Sequence, residues 1–165
     1  PQTLYLSMHQ YPFYPGTGAL EETGHGEGRG GTVNVPLPPG CGDAEYAAVF
    51  AEVVTPILAE FTPECLLISA GFDAHIADPL AQMRVTEDGF RHMARTVLQI
   101  AETTAQGRCL MILEGGYNLT ALQHSVQAVI GELQGERPPV PPLPTSQITE
   151  VLAAVRRHQR TYWRV

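Results

Sequence analysis

Asp73, His75 and Asp78 stand within the stretch GFDAHIADPL at 71 to 80, directly after the apolar run CLLIS at 65 to 69. Carboxylates and imidazoles are the side chains that ligate cations and carry protons. In a chain with only 16% charged residues, three such groups at the end of a buried strand demand a role. Two roles fit: donors to a metal ion, or side chains that cap the turn and bond its backbone. A zinc site needs about three convergent protein donors, and one short loop rarely wraps all of them around an ion. On these residues alone both readings stand.

A second string, LEGGYN at 113 to 118, follows the apolar run CLMIL at 109 to 113. Gly115 and Gly116 let the backbone come close to a ligand and set the hydroxyl of Tyr117 at the rim, where it can donate to a developing oxyanion. A tight turn with an ordinary buried tyrosine is the alternative. GEGRGG at 26 to 31 matches G-x-G-x-x-G, but it precedes a strand where the dinucleotide fingerprint follows one and opens a helix. It reads as a loop. His9, His25, His92, His124 and His158 are scattered and read as surface or core residues.

The elements that must carry these groups follow from apolar spacing. TLYLSMH (3 to 9) reads as a strand, QYPFYPGTG (10 to 18) as an aromatic loop, and TVNVPLP (32 to 38) as a short, edge-like strand. From Ala44 to Phe61, Tyr46, Val49, Phe50, Val53, Val54, Ile57 and Leu58 recur at helical spacing, with Asp43 as N-cap. The strand 65 to 70 follows, then a helix after Thr86 with acids in its first turn, then the strand 109 to 113 and a helix over 119 to 133. A last helix, 146 to about 159, starts at Ser146. Alternating strands and helices predict a parallel sheet with covering helices. Ligands collect at the carboxyl ends of such strands, so Asp73 to Asp78, Glu114 to Asn118 and the loop 10 to 18 are expected on one rim.

With 165 residues, 44% of them hydrophobic, the chain can bury one core. We expect residues 1–135 to form it, 136–145 to be a proline-rich linker, and 146–165 to return as a helix on the same domain. A net charge of −7 argues against nucleic acid as a partner, and the apolar runs are too short to span a membrane. Cys41, Cys65 and Cys109 are odd in number and widely spaced, as expected of reduced core thiols in a cytoplasmic protein. The chain opens at Pro1 and not at Met, so the lack of a visible targeting signal carries little weight.

SMHQYPFYPGTG, TVNVPLPPG, SAGFDAHIADPLAQMRVTEDGF, LEGGYN and the terminal TYWRV occur in the order and spacing of the zinc-dependent histone deacetylase family, which the chain resembles over nearly its whole length. The Phe-Asp-Ala and Leu-Glu-Gly-Gly-Tyr forms are similar to the class II branch and its bacterial relatives, including acetylpolyamine amidohydrolases and acetoin-utilisation proteins. The resemblance implies an arginase/deacetylase-like α/β fold, a three-layer, mostly parallel sheet with helices on both faces, of which this chain matches the C-terminal half. It implies an amidohydrolase acting on acetyl-lysine or acetylpolyamines. A non-catalytic binding module of the same fold is the rival, and the joint presence of Asp78 and Tyr117 argues against it.

Residue by residue, the resemblance makes Asp78 a zinc ligand and Tyr117 the group that polarises the acyl carbonyl. Phe13 and Tyr14 match the aromatic pair of the acyl-lysine channel, and Gly115 and Gly116 match its floor. Asp73 looks like a residue that orders the loop, while Ser7 and Met8 match positions of a structural monovalent-cation site, similar to a potassium site. Ala77 stands where many relatives carry glycine, which leaves the ligand assignment intact. The remaining zinc ligands, an aspartate and a histidine, and a tandem histidine pair are expected upstream of Pro1, with His75 on the far side of the loop. The N-terminal half of the domain is therefore an expected partner. The isolated chain is expected to be inactive and to self-associate.

Overall fold

The computed structural model describes residues 2–139 and 147–165. Strand β1 (Tyr5–Gln10) pairs in parallel with β2 (Thr32–Leu37), in register from Tyr5 opposite Thr32 to Gln10 opposite Leu37. Val33, Val35 and Leu37 are fully buried. Among the described residues β2 bonds only to β1, which tolerates Pro36, a residue without an N–H to donate. Helical segments follow β2 in the chain.

Those segments begin with α1 (Asp43–Val49) and α2 (Thr55–Phe61), separated by a π-helical turn, Phe50–Val54. A single helix is expected here from the apolar spacing, and Pro56 explains the difference. Its ring crowds the carbonyl of Glu52 and it has no N–H to reach that carbonyl, while the N–H of Thr55 bonds instead to Phe50, one residue beyond the α pattern. The buried stripe of Tyr46, Val49, Phe50, Val53, Val54 and Ile57 survives this widening. Asp43 is not the N-cap. Gly42 takes that position, its N–H bonded to the Glu45 carboxylate at 2.9 Å. The Asp43 carboxylate instead accepts the N–H and hydroxyl of Thr86 at 2.8 and 2.6 Å, tying α1 to the residue that precedes the next long helix.

Strand β3 (Leu66–Ala70) leads through α3 (Glu87–Thr104) to β4 (Cys109–Leu113), which lies parallel to it with Leu66 opposite Cys109. This is a βαβ unit, and with β1 and β2 it makes the chain a parallel α/β structure. Ile68, Ala70, Cys109 and Met111 turn toward the core. Their alternates Leu67, Leu110 and Ile112 face outward, Leu67 with 69% of its surface exposed. The described residues thus cover one face of this pair and leave an apolar face open. The three cysteines are free, but only Cys41 is buried, where desolvation pushes its thiol up to about 11; Cys65 is exposed and does not serve the core as expected.

Helix α4 (Leu119–Leu133) packs on α3, and the pair is clamped by a buried carboxylate. Glu132, 1% exposed, accepts two bonds from Arg95 at 3.0 and 2.7 Å and lies 3.2 Å from Arg137. Helix α5 (Thr149–Gln159) lays Leu152 and Val155 against β2 and the π turn; Ser146, the cap expected from sequence, lies outside the described residues. Beyond α5, Trp163 donates its indole N–H to the Gly30 carbonyl at 2.9 Å. No helix among the described residues is long and apolar enough to cross a membrane.

The Arg95 hydrogen bonds hold the Glu132 carboxyl below the ordinary carboxylate range, against the opposing effect of burial and with help from Arg137 and Arg91. A carboxyl whose folded pKa is depressed stabilises fully above its unfolded value, and that contribution is lost as pH falls through the folded one. Glu132→Gln should therefore cost about 3 kcal/mol near neutral pH and flatten the loss of stability on acidification below the ordinary glutamate range. Urea unfolding of both proteins across that range measures it.

Candidate active site

Asp78 is the hinge pin of the rim. Its Oδ1 accepts the N–H groups of Leu80 and Ala81 at 2.9 and 3.4 Å, and its Oδ2 accepts the N–H of Tyr117 at 2.8 Å. Its own N–H donates to the His75 carbonyl at 2.9 Å. The local Asx-type bonds shape the loop after β3, and the third bond crosses to the loop after β4. One buried carboxylate thus holds together two strand ends from separate parts of the sequence.

Around it the β4 loop is seated by backbone contacts. Phe72 N–H bonds to the Gly115 carbonyl at 2.9 Å, and the Asp73 carboxylate lies against Gly115. Gly116 has φ +131°, and a Cβ there would come within 3.0 Å of Leu122 and 3.1 Å of Phe72, so this position needs glycine for both conformation and space. Burial raises the Asp73 carboxyl, the nearby charge of Asp78 raises it further, and backbone N–H groups oppose both. Tyr117 follows with 56% of its surface exposed, its backbone fixed to Asp78 and its phenol free to face the rim.

Asp73, Asp78, Gly115, Gly116 and Tyr117 are therefore brought together as the sequence predicts. Phe13 and Tyr14 make no contact with this cluster that the structure shows among the described residues. The loop that carries them leaves the end of β1 at Gln10, whose Oε1 accepts the Gln82 N–H at 2.9 Å, while the two side chains also meet at 3.4 Å. Tyr14 is 91% exposed and Phe13 is also exposed. Ser7 and Met8 sit within β1: Met8 packs on the core and Ser7 bonds to His9, so neither enters the Asp78 cluster.

His75 bonds within its own turn and packs on α3. It is buried, its Nδ1 accepts the Ala77 N–H at 3.0 Å, its ring stacks on Phe90, and its Nε2 lies 3.5 Å from Glu87 at the start of α3. It anchors the loop to a helix. Ile76 N–H to Val85 O and Val85 N–H to Ala74 O, at 2.9 and 3.0 Å, close the same loop from its other end. Among the described residues no three His, Cys, Asp or Glu side chains converge as a metal site. Asp78 offers one carboxylate, buried and oriented by backbone donors, but a single carboxylate does not make a zinc site.

Three residues beyond the candidate site residues, Asn118, Gln10 and Gln82, also tie the rim together. Asn118 caps α4 by accepting the Ala121 N–H at 3.1 Å and, through its amide nitrogen, donates to the Ala77 carbonyl at 3.0 Å. An asparagine just before a helical run is a capping signal that sequence reading can find. The Gln10–Gln82 pair joins residues 72 positions apart and leaves no local signal.

Comparisons with known proteins show the family. The family model described as histone deacetylase domain matches residues 1–133. The chain is 43% identical over 136 residues to histone deacetylase 14, chloroplastic, of Arabidopsis thaliana, covering 82% of this chain and 32% of that protein. It is 38% identical over 176 residues to human polyamine deacetylase HDAC10, covering 99% of this chain and 25% of that one. The crystal structure of the HDA15 HD domain superposes with a TM-score of 0.87 at 40% identity, covering 97% of this chain and 44% of that chain. The chain thus spans about a third or less of the length of these curated relatives. Matched from its first strand through α4, it belongs to the histone deacetylase domain family.

Proposed function

We propose that this chain forms one wall of the active centre of a zinc-dependent amidohydrolase that removes acetyl groups from acetyl-lysine or acetylated polyamines. The observation that carries the proposal is the 2.8 Å bond from the Tyr117 N–H to Asp78, which fixes a metal-ligating carboxylate and a phenol donor on one rim. Asp78 would supply one donor to the ion, and the others, with the tandem histidines, would come from the upstream half of the domain. Zinc bound there would acidify a water and polarise the acyl oxygen.

The chain's own residues do the rest. Tyr117 donates its phenol O–H to the acyl oxygen as negative charge develops on it, and the glycines beneath keep that approach open. Phe13 and Tyr14 flank the acyl chain with apolar faces. The net charge of −7 attracts the cationic flanks of acetylated histone tails and polyamines alike. Ser7 and Met8 are assigned to a monovalent-cation site, such as a potassium site, beneath β1. The open face of Leu67, Leu110 and Ile112 is assigned to the upstream half, because a contiguous apolar face of this kind is normally covered. Isolated residues 1–165 would use the same face to self-associate.

In the full-length protein, Tyr117→Phe should lower kcat about a hundredfold or more with zinc retained, the effect of losing one oxyanion donor. Asp78→Ala should lose both zinc, measured by atomic emission after dialysis, and turnover. Full metal content in that variant would move the ligand elsewhere, with Asp73 the first candidate. Residues 1–165 alone should hold substoichiometric zinc and hydrolyse no acetyl-lysine peptide until the upstream half is supplied. Comparing turnover on that peptide with turnover on acetylspermidine identifies the substrate class.

A further inference from the structure

The aromatic loop that carries Phe13 and Tyr14 has few bonds of its own; within it, Gly16 N–H reaches the Phe13 carbonyl at 2.7 Å. Its base is built differently. His9, near the end of β1, lies 2.9 Å from the Ser7 hydroxyl through Nδ1 and 2.9 Å from the Gly18 carbonyl through Nε2. A carbonyl only accepts, so Nε2 carries the proton and Nδ1 accepts the Ser7 O–H. Gly18 has φ +94°, and a Cβ on it would overlap the His9 ring. The imidazole therefore occupies the space that a side chain at residue 18 would need.

The far side of the base is equally fixed. Glu22 Oε1 accepts the N–H groups of Gly18 and Ala19 at 3.1 Å each, and buried Asn34 donates to the carbonyls of Ala19 and Glu22 at 3.2 and 3.1 Å. At the entry, Tyr11 N–H bonds to Leu37 at 2.9 Å. His9 is the side chain that joins the two limbs, linking the strand before the loop to the residue where the loop ends.

We infer that His9 is a positioning residue, a clasp that closes the base of the aromatic loop and so fixes Phe13 and Tyr14 for the acyl chain without touching it. The inference rests on the proposed reading of the loop as a channel wall. The clasp acts on the alignment of bound substrate, so its loss raises KM while the chemistry on the rim proceeds. In the full-length protein, His9→Ala should raise KM for an acetyl-lysine peptide about fivefold, the effect of one net hydrogen bond, with kcat nearly unchanged. His9→Gln, whose amide N–H still reaches the Gly18 carbonyl, should restore KM. His9→Asn, long enough only for Ser7, should not. Gly18→Ala should match His9→Ala, and the double variant should go no further, because both open the same clasp.

Limited proteolysis between residues 11 and 17 of the folded enzyme gives a readout independent of activity, and its rate should rise with KM across the series. Unchanged cleavage and unchanged KM in His9→Ala would overturn the inference. Cleavage that rises while KM stays constant would also overturn it. Tyr14→Ala then locates the error: a KM that does not respond to this variant faults the channel reading, and a KM that rises faults the clasp.

Discussion

The rim depends on the Asp78 carboxylate more than on any other group. With one oxygen it stabilises its own turn, and with the other it reaches the backbone of Tyr117 in a loop that follows a different strand. A buried carboxylate is tolerable only when its lone pairs are satisfied, and here three backbone N–H groups are bonded to its two oxygens. The same bonds that make the charge bearable therefore orient it. Metal ligands commonly gain their direction from such outer partners, and on the proposed function one such partner of Asp78 is the peptide N–H of Tyr117.

A second constraint is that the loops beyond the strands are held by side chains from elsewhere. Asp43 leaves its helix to bind Thr86 at the start of α3, His75 leans on Phe90 and Glu87 of that helix, and Asn118 caps α4 while holding Ala77. Helix starts are used repeatedly as fixed points from which a loop is steered. Helix α3 is held in turn through Arg95 and Glu132 on α4. The buried ion pair thus lies behind the rim and supports it without sharing its chemistry.

What could be read from sequence divides along physical lines. Strand 109 to 113 and the helix 119 to 133 appear at the residues expected, because an apolar run and the two glycines after it mark where the strand stops. The clustering of Asp73, Asp78 and Tyr117 at one rim followed from parallel topology. The π turn before Pro56 was missed because apolar spacing survives a one-residue widening. Asp43 was misplaced as a cap because its carboxylate serves a partner 43 residues away. His75 was legible in part: bonding within its own turn was one of the two roles open to it, whereas its contacts with Phe90 and Glu87 depend on where α3 passes.

The pairing of Gln10 with Gln82 and the bond from Trp163 to Gly30 join residues 72 and 133 positions apart. Such distant contacts are expensive in loop-closure entropy and form after local ones have reduced the search. The β3–α3–β4 unit is contiguous and can order early, whereas the seam between the aromatic loop and the Asp78 loop must wait for both halves of the chain. The seam with the aromatic loop, rather than the Asp78–Tyr117 contact inside that unit, is therefore the part of this fold expected to order last and to open first, in keeping with the low local stability of many loops.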